Sequence, residues 1–236
     1  MDSDLNFTEK VNQEKTKVPS RAKYPKLILE NIFAFAPNRD TLGGTSYLLI
    51  HPLGNILVDC PFWSEENKDF CLSNGVKYLF VTNRDGISKH ISHIKKELHC
   101  ELIIQEQEAY LLPNLSPITF SEEYRLYDDC FGLWTCGYSP ASACLYYGNY
   151  GGVLFSGRHL LPVGNDKISA LKLKKTFHWL RQLRSVQKLC DRFSEKTLEY
   201  ICPGANTGYL RGQGFMNKGY QKLMESNKNY LVSDNR

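Results

Sequence analysis

The sequence lacks long hydrophobic runs: none of its 236 residues lies in a stretch approaching the roughly 20 apolar residues that a membrane-spanning helix needs. Its first residues, MDSDLNFTEKVNQEKTK, also lack the apolar segment of a secretory signal. These two absences argue against an integral helical membrane protein. They predict a cytoplasmic location and no membrane partner.

Closely spaced cysteine pairs are also missing, because the eight cysteines form no CxxC motif. Most of them lie in apolar, strand-like contexts, such as Cys60 in ILVDC and Cys144 in ACLYY. This pattern predicts reduced, buried thiols rather than a disulfide framework. Cys136 and Cys202 each precede a glycine-containing loop. A nucleophilic role at these two positions is an alternative, although an inert thiol is the commoner meaning of such a context.

Excess charge is small, with 29 basic and 25 acidic residues giving a net charge of +4. This balance argues against nucleic acid as a partner. Hydrophobic residues at 42% and charged residues at 23% are typical of globular chains and exclude wholesale disorder. We interpret residues 1–24 as a flexible polar leader and residues 25–236 as a single domain.

Short apolar strands and amphipathic helices alternate in two successive halves of this domain, the second half starting at the strand PITF. A short helix is predicted between Ser64, which would cap its N-terminus, and Gly75, which would end it. Further helices are predicted over 87–98, near 173–192 and near 214–228. Because strand clusters are interleaved with helices, we predict the α/β (α+β) class, as a four-layer αββα sandwich with two facing sheets and helices outside.

Five motifs occur along the chain in a fixed order: Asp59 at the end of NILVDC, then YLFVTNRDGISKH, GYSPAS, LFSGRHLL and CPGAN. In this order they resemble the metallo-β-lactamase fold superfamily, over most of the chain from about Leu27 to Gly214. The resemblance is to a divergent branch with a Thr-His-Arg-Asp-Asp type loop and a Trp-x-x-Gln-Leu-Arg-Ser helix. This chain has TNRD and WLRQLRS at those places.

The resemblance implies a hydrolase with two metal ions, held by histidine and aspartate, that activate a bridging water. Only Asp85 is a plausible ligand among the residues at the corresponding positions. Those positions hold Asn83, Asp85, Ile87, Ser88, Tyr138, Arg158 and Ala205. Arg158 replaces the bridging aspartate, and its permanent positive charge opposes a dication. We therefore expect no cofactor. A weaker alternative is one residual zinc or iron ion held by Asp85, His90 and His93.

We predict a degenerate cleft in which no residue has an assigned catalytic role. It comprises Asn83, Asp85, Ser88, Tyr138, Arg158, His159 and Asn206. Arg158 is expected to close on Asp85, with hydrogen bonds from Tyr138 and Asn83. His159 is expected to be a buried, hydrogen-bonded imidazole rather than a base. The cleft would then be a structural core or a pocket for a small anionic ligand.

Two other functions are compatible with the sequence, which does not determine the oligomeric state. One is a metal-dependent hydrolase of low or atypical activity on ester or thioester substrates. The other is a protein-interaction module that uses a basic helix face, since Arg181, Arg184 and Lys188 are spaced i, i+3 and i+7.

Overall fold

Two β-sheets form the centre of the structure, a computed structural model that describes residues 24–233. The predicted leader lies outside the described residues except for Tyr24. The first sheet has seven strands in the order β1 to β7, antiparallel from β1 to β4 and parallel from β4 to β7. The strands are β1 Lys26–Leu29, β2 Ile32–Ala34, β3 Tyr47–Leu49, β4 Ile56–Val58, β5 Tyr78–Val81, β6 Glu101–Gln105 and β7 Ile118–Phe120.

The second sheet has five strands in the order β14-β11-β10-β9-β8, with β11 and β14 parallel and the other neighbours antiparallel. A separate small hairpin joins β12 to β13. The strands are β8 Glu123–Tyr127, β9 Cys130–Trp134, β10 Ala143–Tyr147, β11 Val153–Gly157, β12 Leu161–Val163, β13 Lys167–Ser169 and β14 Tyr200–Pro203.

Three hydrophobic cores show that the sheets face each other with helices outside. The central core contains side chains of both sheets, such as Tyr47 and Phe155, whose rings lie 5.4 Å apart. A second core packs α1 (Glu65–Asn74) and α2 (Ile91–Leu98) on the first sheet. The third packs α3 (Trp179–Arg192) and α4 (Gly219–Ser233) on the second sheet. This is the predicted αββα sandwich.

The helices follow the predicted pattern, but three of them begin later than predicted, and α4 begins at Gly219 rather than near 214. Helix α1 begins after Ser64, whose Oγ accepts a hydrogen bond from the backbone of Asn67, and ends at Gly75. Helix α2 begins at Ile91 rather than Ile87, because Ile87 has an extended backbone and residues 89–90 form a turn before the helix. Helix α3 begins at Trp179 rather than near 173, because the preceding loop bonds through its backbone to the loop that holds Tyr138.

Strand assignments were less complete than helix assignments. Strands β8, β12 and β13 were not predicted from the sequence, and PITF was placed with the second half of the chain. In the structure β7, formed by this segment, pairs with β6 in the first sheet. All eight cysteines are buried and free, which confirms the prediction of reduced thiols. Within residues 24–233, every helix is too short or too polar to cross a membrane.

Tyr47 connects the first sheet to the chain around β14. Its side chain is buried, and its hydroxyl donates to the carbonyls of Pro203 at 2.8 Å and Gly214 at 3.0 Å. We expect Tyr47→Phe to lower the free energy of unfolding by about 1–3 kcal/mol, because buried carbonyls lose their donor. Urea denaturation measures this. Tyr24→Phe, at an exposed position, is the control, and equal stability of the two variants would contradict the expectation.

Candidate functional site

The predicted cleft lies at one end of the sandwich, where loops from both sheets meet. The loop after β5 carries Asp85, the loop after β9 carries Tyr138, and Arg158 directly follows β11. Ala205 follows β14 and is buried. Parallel strands end at the same edge of a sheet, so the paired strands β11 and β14 deliver Arg158 and Ala205 to a common place.

Asp85 is the centre of this cluster. The Tyr138 hydroxyl donates to Asp85 Oδ2, and Arg158 Nε lies 3.8 Å from the same oxygen. Lys175 Nζ lies 3.9 Å from Asp85 Oδ1. Burial is the main reason why the pKa of Tyr138 lies well above its ordinary value, and the hydrogen bond to Asp85 and the charge of Asp85 raise it further. The phenol therefore keeps its proton and acts as a donor to the carboxylate.

Arg158 approaches Asp85 as expected, but no hydrogen bond joins the two side chains. Arg158 Nη2 donates instead to the carbonyls of Thr41 at 2.9 Å and Leu42 at 3.0 Å. Only 11% of the Arg158 side chain is exposed. The guanidinium thus connects the Thr41–Leu42 turn to Asp85 and has a partner on each side.

A second ion pair, between the exposed Arg84 and the buried Glu108, lies beside the first. The Glu108 side chain is fully buried and accepts hydrogen bonds from Arg84 Nε at 2.6 Å, the Arg84 backbone at 2.9 Å and Ser139 Oγ at 3.0 Å. Glu108 was not predicted as a site residue, because nothing in the segment EQEAYLL distinguishes it from the nearby Glu106. Its partner Arg84 is 24 residues away, which is too distant for a local pattern to reveal the pair.

Asp59 supports the loop that carries Asp85. Its carboxylate accepts hydrogen bonds from the backbone of Thr82 at 2.8 Å and from Thr82 Oγ1 at 2.6 Å. Burial raises the pKa of Asp59 to about 6, although both hydrogen bonds act in the opposite direction. A Cβ atom on Gly86 would lie 2.1 Å from Asp59 Oδ1. Only glycine at residue 86 permits this close contact.

The cavity beside Asp85, at the place that corresponds to the metal site of metallo-β-lactamases, is very small. The cavity bordered by Asp59, Asn83, Asp85 and Arg158 has a volume of about 10 Å³, which is near the minimum for a single water molecule. Two metal ions about 3.5–4 Å apart with a bridging water need more room. The residues present therefore fit a two-metal centre neither in chemistry nor in volume.

The other substituted positions have structural roles. Asn83 Oδ1 accepts from the backbone of Asp85 at 3.0 Å, so Asn83 caps the turn rather than donating to the Asp85 carboxylate as expected. Ser88 Oγ accepts from the backbone of His90 at 3.1 Å. Ile87 packs against the core under α2. Asn206 is exposed, with a left-handed backbone (φ 56°).

The alternative ligand set Asp85, His90 and His93 is not brought together. His90 Nε2 faces Asp40 Oδ2 at 3.7 Å, whereas Asp85 is bound by Tyr138. Across the described part of the chain, no group of three or more His, Cys, Asp or Glu side chains is arranged to hold a metal ion. The structure thus provides no assembled site for the residual ion of that alternative.

His159 is buried as expected, but the expected hydrogen bonds are missing. Neither ring nitrogen has a hydrogen-bond partner among residues 24–233. Burial lowers the pKa of His159 to about 3, so the imidazole is neutral at physiological pH. Burial likewise raises the pKa of the Cys136 and Cys202 thiols. Both therefore stay protonated near neutral pH, which does not favour a nucleophilic role.

Solved structures with a similar fold support the resemblance found in the sequence. VMB-1 superimposes with a TM-score of 0.67 at 13% identity, covering 89% of this chain and 97% of the other. The DIM-1 metallo-β-lactamase gives 0.65 at 15%, covering 87% and 95%. A metallo-β-lactamase family protein from Thermus thermophilus gives 0.60 at 15%, covering 87% and 81%. No protein-family model and no curated protein matches the sequence. The chain has the metallo-β-lactamase fold.

Asp59 and His159 are expected to change acid stability in opposite directions. The pKa of Asp59 is raised from 3.8 to about 6, so its contribution to stability grows as the pH falls from 6 toward 4. The pKa of His159 is lowered from 6.5 to about 3, so its contribution is lost over the same range as the unfolded chain takes up a proton. Each effect is on the order of 1–3 kcal/mol.

Thermal unfolding of wild type, Asp59→Asn and His159→Gln between pH 7 and pH 4 measures how each residue changes the pH dependence of stability. Relative to wild type, Asp59→Asn should lose stability more steeply toward acid, and His159→Gln less steeply. All other titrating groups are common to the three proteins, so differences between the curves isolate each residue. Parallel curves would show that burial does not shift these two groups.

Proposed function

We propose that this chain keeps the metallo-β-lactamase fold without its two-metal centre and without hydrolase activity, and that the former metal position is a closed structural core. The observation that carries the proposal is the position of Arg158. Its guanidinium lies within 4 Å of Asp85, the single plausible ligand, and both side chains are nearly buried. A cation thus stands where the family places a dication.

Electrostatics supports this interpretation. Arg158 keeps its proton at every relevant pH, so a divalent ion beside Asp85 would be repelled at close range in a poorly solvated place. The same guanidinium compensates the largely buried Asp85 carboxylate, together with the more exposed Lys175 at 3.9 Å. Removing one partner of such a pair costs about 3–5 kcal/mol. An arginine at residue 158 therefore compensates the negative charge of Asp85 that loss of the metals would leave unpaired.

Hydrogen bonding favours a structural core over an anion pocket. Arg158 Nη2 is engaged by two carbonyl oxygens. The larger opening at the cleft mouth, about 280 Å³, is lined by Arg84 and Lys175, and each of these cations lies within 4 Å of a carboxylate. Within the described residues, no contact favours the metal-dependent esterase or thioesterase alternative.

Metal analysis tests the proposal directly. Protein purified without chelators should contain well under one equivalent of zinc, iron or manganese per chain by elemental analysis. Chelator treatment should leave its melting temperature unchanged, because the charged side chains of the cleft compensate each other. Two tightly held metal ions per chain, or chelator-sensitive turnover of a β-lactam or thioester, would overturn the proposal.

A double-mutant cycle tests the pairing itself. Asp85→Ala, Arg158→Ala and the double variant should give a coupling energy on the order of 0.5–3 kcal/mol in denaturant unfolding. Glu65 and Lys68 on α1, 4.0 Å apart with Glu65 largely exposed, form the control pair. Their coupling should be at most about 0.5 kcal/mol. Strictly additive losses at Asp85 and Arg158 would remove the pairing from the proposal.

A further inference from the structure

A groove of about 240 Å³ runs between helix α3 and the end of strand β9, and it shares no lining residue with the cleft. Arg181, Arg184 and Lys188 line it from the helix. Trp134 and Cys136 line it from the opposite side. The basic face identified in the sequence is therefore one wall of a concave site rather than a convex helix surface.

Positive charge in this groove is only partly compensated. Lys188 Nζ is bound by Glu122 Oε2 at 2.9 Å. Arg181 contacts the Cys136 thiol. Arg184 is exposed, and no carboxylate within residues 24–233 lies within 4 Å of its guanidinium. Glu122 is the single acidic residue that lines the groove. The guanidinium groups of Arg181 and Arg184 therefore face the groove without a carboxylate partner of their own among the described residues.

The walls of the groove are held firmly together. Ser185 Oγ on α3 donates to the carbonyl of Cys136 at 2.8 Å. A Cβ atom on Gly137 would lie 2.2 Å from the Cα atom of Gln182, so the loop backbone rests directly on the helix. Trp134 Nε1 donates to the carbonyl of Pro140 at 2.8 Å. Such a site needs little reordering when a ligand binds.

We propose that this groove binds a small phosphate monoester, with the phosphate between Arg181 and Arg184 and an apolar or aromatic part against Trp134. Guanidinium groups match phosphate oxygens through paired, charge-assisted hydrogen bonds. Residues i and i+3 lie on the same helix face, so both arginines reach one ligand. Because the Trp134 N–H already has an acceptor, its ring offers mainly apolar surface.

The carboxylates near the groove favour a ligand with one phosphate over a long polyanion. Glu122 lies beside Lys188, and Glu123 pairs with Arg192 at 3.3 Å further along the same helix. These carboxylates interrupt the basic face after Arg184 and would repel a continuous phosphate backbone at close range. A short ligand with one phosphate avoids them. The charge pattern therefore favours a small molecule over nucleic acid.

Titration calorimetry with phenyl phosphate on the full chain tests the proposal. Wild type should bind with saturation, more tightly than it binds inorganic phosphate, and phenol should not bind. Arg181→Gln and Arg184→Gln should each weaken binding by about tenfold or more, because a hydrogen bond to a charged group is lost. Lys196→Gln, which removes one charge from an exposed position, should bind like wild type.

Three results would overturn the proposal. One is unchanged affinity in Arg181→Gln and Arg184→Gln. Another is loss of binding in Lys175→Gln, which would place the phosphate at the cleft mouth. The third is saturable binding of an oligonucleotide or an acidic peptide without binding of phenyl phosphate, which would make the groove a macromolecular surface. Unchanged melting temperatures in the arginine variants would show that any loss of binding is local.

Discussion

The buried carboxylate of Asp85 is the constraint on which this end of the structure depends. An ionised carboxylate removed from water must be paired and hydrogen-bonded. Tyr138 supplies the hydrogen bond and Arg158 the charge, and each comes from a loop that follows a strand of the second sheet. One side chain of the first sheet thereby fixes the position of two loops of the other. The two halves of the sandwich are joined at this place by a charged and hydrogen-bonded contact.

Close packing around Asp59 and Gly86 makes that arrangement stable. The Asp59 carboxylate holds Thr82, the last residue before the cleft loop, and Gly86 lies directly against the same carboxylate. Gly204 donates a backbone hydrogen bond to Gly157 at 2.7 Å on the opposite side. Because small residues lie at these contacts, the loops approach each other closely. The cavity that remains between them is near the smallest that can hold one water molecule. The cavity beside Asp85 is thus very small, whereas the groove along α3 is larger and lined by charged side chains.

Local patterns in the sequence were sufficient for much of the fold. Ser64 and Gly75 mark the ends of α1, because capping depends on residues within one turn. Apolar runs such as ILVDC marked buried strands, since strands covered on both faces read as continuous hydrophobic segments. The edge strand β8 was missed, because its charged residues alternate with partly buried ones and resemble a loop. The start of α2 was placed too early, because amphipathic spacing reveals neither the extended backbone of Ile87 nor the hydrogen bond from the His90 backbone to Ser88 Oγ.

Residue identities and motif order alone were enough to predict that Arg158 and Asp85 belong to one cleft. Only the tertiary structure decided how those residues are used. It directed the terminal nitrogen of Arg158 to the Thr41 and Leu42 carbonyls, added the unforeseen Glu108 beside Arg84, and left the ring of His159 without a partner among the described residues. The two contacts among these outcomes join residues 24 to 117 positions apart. Such contacts are set by the packing of two sheets and not by any local pattern.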